Sequence, residues 1–328
     1  MDLVQVLTDG LRAAVGVPAI AYALAVIGLN VHFGYTGLFN IGQIGFLAAG
    51  AYGAGISASL WGWPLPLAIL AGVVAAVLLG LLLGLPALRL RAEYLAIVTI
   101  SASEIIRITV RSTSVEGVTG GPQGIGRWAS SFYDINPIPS GKYGIGRIAF
   151  NHRELWVMLV GWALVALAVL VTWLLVRSPW GRVLRSIRDD EDAARSLGKN
   201  VYAFKVQSLV YGGVLGALAG LLLAINANYT TPGEYQTVFT FYMYVALILG
   251  GIGKLFGPVL GSMLFWFTLQ ATDVLLRQLI QPGSWAATYI EQRDIGQLRL
   301  ALVGLALMLL VIFRPQGVLG GRSPGKAQ

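Results

Sequence analysis

The chain contains no cysteine, which excludes a disulfide framework, a thiolate metal site and a thiol nucleophile. Charge is nearly as scarce. Asp, Glu, Lys and Arg make up 12% of the 328 residues, about half of what a soluble domain carries. None of the four occurs between Ala13 and Leu88. Histidine is limited to His32 and His152, which form no metal or catalytic constellation. A Gly-x4-Gly-Lys-Ser/Thr phosphate loop is missing, since Gly253-Lys254 runs into Leu255 and Gly141-Lys142 into Tyr143. The chain therefore has no means of cradling ATP in that manner. No nucleophile, ligand cluster or pair of carboxylates at a membrane face marks an enzyme.

What is present is apolar residue in long, uninterrupted runs. Hydrophobic residues make up 56% of the chain, more than one water-soluble core can bury. The uncharged stretch from Ala13 to Leu88 alone has room for three helical passes at about 20 residues each. The runs are continuous rather than alternating, which indicates helices and not a barrel. Met1–Arg12 carries two Asp and one Arg and lacks the basic start of a cleaved signal, so Val15–Asn30 reads as a retained first helix.

Candidate spans fall at 15–33, 38–60, 65–87, 93–110, 155–176, 204–226, 238–253, 257–277 and 298–313. The expected fold is an all-α polytopic bundle of eight to ten spans, nine fitting best, forming one transmembrane domain over 1–328. The seventh span is short and ends in glycines, which suits a discontinuous or re-entrant element. The net charge of +8 reads as basic cytoplasmic loops rather than a nucleic-acid surface. Nine crossings with the N-terminus outside place Arg89 and Arg91, then Arg177, Arg182, Arg185 and Arg188, then Arg314, Arg322 and Lys326 all inside. The connection 111–154 then lies outside. Its Gly-Pro turns and its aromatics Trp128, Phe132, Tyr133 and Tyr143 predict an ordered extracytoplasmic cap.

Two stripes of small residues repeat every four positions: Gly45, Ala49, Gly53 and Ser57, and Gly212, Gly216, Gly220 and Ala224. Such stripes let helix backbones approach closely. They suit tight packing within one subunit, or a lining or dimer surface in a transporter.

The segment 177–200 is the most charged connection between spans. Pro179 stops one helix and Gly198 ends the next, so Arg182–Leu197 reads as one surface helix. Val183, Leu184, Ile187, Ala194 and Leu197 form its apolar side, and 189–192 face water or a partner. Taken on charge alone, it is a solvated loop with anchoring arginines.

Its order resembles something more specific. Asp192-Ala193-Ala194, three residues, then Gly198 is similar to the signature loop of permease subunits in ABC importers, with Asp where Glu is usual. Gly37-Leu38-Phe39-Asn40-Ile41-Gly42-Gln43 leading into Gly50-Ala51-Tyr52 resembles the second helix of the branched-chain amino acid permeases. Thr119-Gly120-Gly121-Pro122-Gln123-Gly124, the Gly-rich run from Leu249 to Gly261, and Phe313-Arg314-Pro315-Gln316-Gly317 match further elements of that family in order. The likeness is to the LivM-type subunit rather than its LivH-type partner.

The resemblance implies a multi-pass permease of the bacterial inner membrane, moving branched-chain or related amino acids, or urea or short amides. It implies no cofactor in this chain, ATP and Mg being bound by two cytoplasmic ABC ATPase subunits. A homologous LivH-type permease and an extracytoplasmic substrate-binding protein would complete the assembly. Arg182, Arg188, Asp190, Glu191, Asp192, Ala193, Ala194 and Gly198 become the candidate ATPase-coupling residues. An ion-coupled secondary transporter is the competing class, and it would want an intramembrane carboxylate.

Candidate residues for the translocation path are Asn40, Gln43, Glu104, Arg107 and Asn226. Glu104 and Arg107, three apart, suit an ion pair or contact with a zwitterion. Asn30 is a further polar group at a helix end, more apt to bond across helices than to cargo. Asp273 and Arg277 are expected to snorkel to the interface.

Overall fold

The computed structural model describes residues 2–87, 92–145, 148–280, 295–313 and 317–319. Lipid as solvent leaves the backbone no partner but itself, and helices follow. They are α1 (Leu3–Val15), α2 (Val17–Leu29), α3 (Gln43–Trp61), α4 (Leu65–Ala87), α5 (Ala92–Arg111), α6 (Glu116–Thr119), α7 (Ser131–Asp134) and α8 (His152–Arg177). Then come α9 (Pro179–Asp189), α10 (Glu191–Ser196), α11 (Val201–Ala227), α12 (Val238–Gly250), α13 (Gly257–Leu279) and α14 (Ile295–Phe313). A π-helical segment, Asn30–Thr36, continues α2.

Among the described residues, six helices are long and apolar enough to cross a membrane: Val17–Thr36, Gln43–Trp61, Leu65–Leu85, His152–Arg177, Val201–Ala227 and Gly257–Leu279. Helix α5 has the length but carries Glu104, Arg107 and Arg111. Helix α12 and the described apolar part of α14 are shorter. At 13 residues, α12 is about 20 Å long, well under the hydrocarbon thickness. The architecture is the expected polytopic helix bundle. The basic residues Arg89, Arg91, Arg314, Arg322 and Lys326 lie outside the described residues.

The first helix corrects one expectation. The lead-in to Arg12 is itself helical, with the Asp2 carboxylate capping it by accepting from the Gln5 N–H at 3.1 Å. Val6, Gly10 and Ala14 recur every four residues and are buried against α13. A Cβ on Gly10 would come within 2.8 Å of the Phe267 ring. Gly16 then separates α1 from α2, and Pro18 sits in the first turn of α2.

The centre of the bundle is α2, α3 and α11. Both small-residue stripes serve packing within the chain. A Cβ on Gly28 would lie 2.4 Å from the Gly212 carbonyl oxygen, and one on Gly220 would lie 2.1 Å from that of Leu47. Gly50 approaches the Ala217 carbonyl in the same way, Gly45 faces Ser103 and Gly53 faces Gly72. Helices α4 and α8 are peripheral. Leu67, Leu70, Leu78 and Leu82 on α4, and Leu159, Leu167, Leu170 and Leu174 on α8, point outward, as lipid-facing residues do.

The connection between α5 and α8 is ordered. Gly120, Gly121 and Gly124 all take positive φ, and a Cβ on Gly120 would collide with the Gly124 carbonyl, so this tight turn excludes other residues. Strand β1 (Ile125–Gly126) pairs antiparallel with β4 (Tyr229–Thr230), and β2 (Lys142–Ile145) with β3 (Ile148–Asn151). Trp128 Nε1 donates to Thr230 Oγ1 at 3.1 Å, so this connection is tied to the end of α11. It lies at the opposite end of α8 from α9 and α10.

Candidate functional site

At the far end of α8, Ser178 caps α9 by accepting from the Trp180 N–H at 3.2 Å, and Pro179 takes the first helical position. The single helix expected over Arg182–Leu197 is two. Asp190 is extended (φ −158°, ψ 108°), and its Oδ1 accepts from the N–H groups of Asp192 and Ala193, each at 3.0 Å. A side chain able to cap a new helix breaks the old one. Gly198, at φ +75°, ends α10, with the Lys199 N–H donating to the Ala194 carbonyl at 3.3 Å.

This pair of helices presents two faces. Gly181, Leu184, Ile187 and Ala194 are buried against the bundle. Leu197, expected on that apolar side, points the other way and is 78% exposed. The two-helix bend places it at the tip, beside Ala193 and Gly198, with Arg182 and Asp192 also exposed. Two of the charged candidates contact the rest of the chain. Arg188 Nη1 donates to the Gly34 carbonyl at 2.7 Å. Glu191 pairs with buried Lys205 on α11 and with Arg195.

Gly34 belongs to the π-helical segment, and that segment leads into a buried polar cluster. Asn30 Nδ2 donates to the Lys254 carbonyl at 2.9 Å, and its Oδ1 accepts from the Gly253 N–H at 2.8 Å. His32 is not isolated. Its Nε2 donates to the Leu209 carbonyl at 3.2 Å, which leaves Nδ1 to accept from Asn40 Nδ2 at 3.2 Å. The same Asn40 amide donates to Gln43 Oε1 at 3.0 Å, and Gln43 Nε2 donates to the Gly212 carbonyl at 3.0 Å. Asn40 Oδ1 accepts from the Gly42 N–H. Asn40 and Gln43 are thus buried and satisfied within the chain. They hold α2, α3 and α11 in register.

The charged candidates inside spans are paired. Arg107 grips Glu104 through Nε and Nη2, and Thr237 Oγ1 donates to Glu104 Oε2 at 3.4 Å. Asp273 does not snorkel. It is buried and accepts from Arg277 Nε at 2.7 Å and Arg299 Nη1 at 3.1 Å. Arg299 comes from α14, 26 residues along the chain, and its proximity to Asp273 is invisible in the sequence.

At the opposite end from α9 and α10, a cavity of about 240 Å³ opens between α2, α3, α11, α12 and α13. Its walls include Ile44, Leu47, Leu223 and Met243, and its polar residues include Asn226 and Glu234. Asn226 is the one path candidate that lines it. Glu234, which sequence reasoning missed, sits in the turn Pro232–Tyr235 before α12. Partial burial raises its carboxyl pKa above the usual value.

Comparison with known proteins places these features in a lineage. A family model described as branched-chain amino acid transport system, permease component, matches residues 13–313. The high-affinity branched-chain amino acid transport system permease protein LivM of Salmonella typhimurium is 31% identical over 323 residues, covering 91% of this chain and 67% of the relative. A probable LivM of Methanocaldococcus jannaschii is 24% identical, covering 91% of this chain and 90% of the relative. The autoinducer 2 import system permease LsrC of Escherichia coli is 28% identical over 48% of this chain and 43% of the relative. No solved structure matches the chain significantly.

Proposed function

Because the chain belongs to the branched-chain amino acid transport permease family, we propose that it is the membrane-spanning subunit of an ABC importer for branched-chain or related amino acids. Separate subunits hydrolyse the ATP. In this reading α9 and α10 lie on the cytoplasmic side and dock on an ATPase subunit, with 177–200 as the coupling loop. The segment 111–154 lies outside and meets a substrate-binding protein, and a homologous LivH-type permease completes the pathway in the bacterial inner membrane.

The observation that carries the reading is the α9–α10 pair itself. It is a small, rigidly capped projection whose exposed tip, Ala193, Leu197 and Gly198, is apolar and compact. Its base is tied to α11 by Glu191–Lys205 and to the π-helical segment by Arg188. A force on the tip therefore reaches two elements of the core. An ion-coupled mechanism gains no such support, because Glu104 and Asp273 are both held by arginines.

The test is uptake by membrane vesicles holding the chain with its partner subunits. Leucine uptake that requires internal ATP and the external binding protein is expected. Uptake driven by a proton or sodium gradient without ATP would overturn the proposal. Uptake of urea or short amides in place of leucine would keep the machine and change the cargo.

A further inference from the structure

The outer face of α8 carries a groove that plays no part in the coupling described above. About 480 Å³ lies between α8 and the start of α13, walled by Trp162, Val169, Leu170 and Trp173 on one side and by Leu255 and Phe256 on the other. All six side chains are half-buried or exposed, so a chain lying in the groove touches them directly. Leu167 and Leu174 beside it also point outward, which sets the groove in the lipid-facing surface. A gap there forfeits dispersion contact unless something apolar fills it.

Length and charge narrow what fills it. From Trp162 to Trp173 helix α8 rises about 16 Å, close to half of a hydrocarbon core of about 30 Å. The groove is thus one leaflet deep. Trp162 marks its inner end, with the indole donating to the Val15 carbonyl at 3.1 Å where α1 meets α2. A helix of another subunit crossing the whole bilayer finds only half a seat. The surface end is positive. Arg177 ends α8 with its guanidinium 4.3 Å over the Trp173 ring, and exposed Lys254 directly precedes Leu255. Among the described residues neither cation has a carboxylate partner, and no carboxylate lines the groove. Helix α13 begins at Gly257, so the positive end of its dipole lies there too.

We infer that this groove holds one anionic phospholipid, with an acyl chain along α8 between Trp162 and Trp173 and its phosphate at Arg177 and Lys254. The proposed orientation of α9 and α10 puts this lipid in the cytoplasmic leaflet, whose surface is anionic. Arg177 leads into the α9–α10 pair, while the backbone of Gly253 and Lys254 is held by Asn30 of the π-helical segment. The headgroup therefore joins the root of the pair to the loop before α13. That consequence rests on the import reading; the binding does not.

The test uses the complete transporter in mixed micelles holding equal amounts of dioleoylphosphatidylglycerol and dioleoylphosphatidylcholine. Lipid retained after exchange into pure detergent is counted by mass spectrometry. The acyl chains are identical, so a preference reports the headgroup. Retained phosphatidylglycerol is expected to exceed phosphatidylcholine about tenfold or more, each cation near an anionic headgroup contributing roughly a factor of five. Arg177→Gln with Lys254→Gln, both at exposed positions, should level the two lipids. Ala166→Trp, on the exposed wall of the groove, should remove the excess with both cations intact. Equal retention of the two lipids by the native complex overturns the site, as does an excess that survives both variants. A photo-crosslinking residue at position 166 that captures the homologous permease instead of lipid also overturns it. None of these readouts involves transport, so their outcome is separate from that of the import reading.

Discussion

Arg188 on α9 reaches across to donate to the backbone carbonyl of Gly34 at 2.7 Å, joining a surface helix to a π-helical segment in the core. The contact is close along the whole side chain, since a Cβ on Gly37 would stand 3.1 Å from Arg188 Cγ. A π-helical segment places a carbonyl outside the regular helical ladder, where an external donor can take it. Asn30, at the start of the segment, holds the loop at Gly253 and Lys254. One short element therefore links α9, the loop before α13 and the buried cluster at His32.

Breaking this link should separate motion from hydrolysis. Arg188→Ala removes a charge-assisted bond of about 1.5–3 kcal/mol from a position that is otherwise half exposed. Import is expected to fall about tenfold or more while the chain still inserts and its partners still hydrolyse ATP. Parallel loss of import and ATP hydrolysis would show that Arg188 serves assembly instead.

The tip of the helix pair predicts a different phenotype. Leu197→Ser alters an exposed surface, so the unfolding midpoint should stay within the small range typical of surface changes. Co-purification with the ATPase subunit should weaken. Bulky residues at Ala194, which is 2% exposed, should unfold the α9–α10 pair itself, so that position is a poor probe of docking.

Helix packing at the centre is tested by Gly220→Val. The new Cβ would lie 2.1 Å from the Leu47 carbonyl oxygen, and overpacking of this kind costs about 1–3 kcal/mol or more. Gly117→Ala is the control, because nothing lies within 4 Å of its added Cβ. A markedly lowered unfolding midpoint in the first and an unchanged one in the second is the expected pair of results.

Asn40→Ala should destabilise by a separate mechanism. It strips the donor from both His32 Nδ1 and Gln43 Oε1, and each buried acceptor left unsatisfied costs about 1–3 kcal/mol. The combined variant Asn40→Ala with Gln43→Leu removes one orphaned acceptor along with the donor. It should be less destabilised than the sum of the single changes, as measured in a double-mutant cycle of unfolding midpoints.

Acidity should act through Glu234. Partial burial raises its carboxyl pKa, so it takes up a proton at a higher pH than an ordinary glutamate. The native state binds this proton more tightly than the unfolded chain does, so the stability this group contributes is fully present below its unfolded-state value and is lost as pH rises through the raised folded value. Unfolding midpoints measured against pH in native and Glu234→Gln chains check this; the variant should lack that step.

The sequence reveals what lipid dictates and conceals what folding brings together. Spans such as α4 and α8 are legible because the bilayer demands long apolar runs. The tight turn at Gly120–Gly124 is legible from its glycines. Helix α1 escapes because its apolar residues are interleaved with Gln5, Asp9 and Arg12 over a length too short to span. The break at Asp190 escapes because Asp189–Asp192 reads as one charged run, and only backbone geometry shows which carboxylate caps. Glu234 escapes as a lone charge in a short connection, since Tyr22, Ile44 and Trp266, which line the same cavity, lie far away in the chain. Asn40 and Asn226 look alike as polar residues of spans, yet one is fully bonded within the core and the other faces a cavity.

The close contacts of α11 also set an order of assembly. Gly212 meets Gly28, Gly220 meets Leu47 and Ala217 meets Gly50, residues that leave the ribosome some 170 positions earlier. At synthesis rates of about 5–20 residues per second, α2 and α3 wait in the membrane for roughly 10–30 s before the helix that fills their grooves arrives. During that interval the amides of Asn40 and Gln43 lack part of their final company, and the nascent half-bundle is most open to quality-control proteases. Variants that weaken the α2–α3–α11 interlock should therefore lower the amount of protein in the membrane before they lower the activity of each molecule that matures.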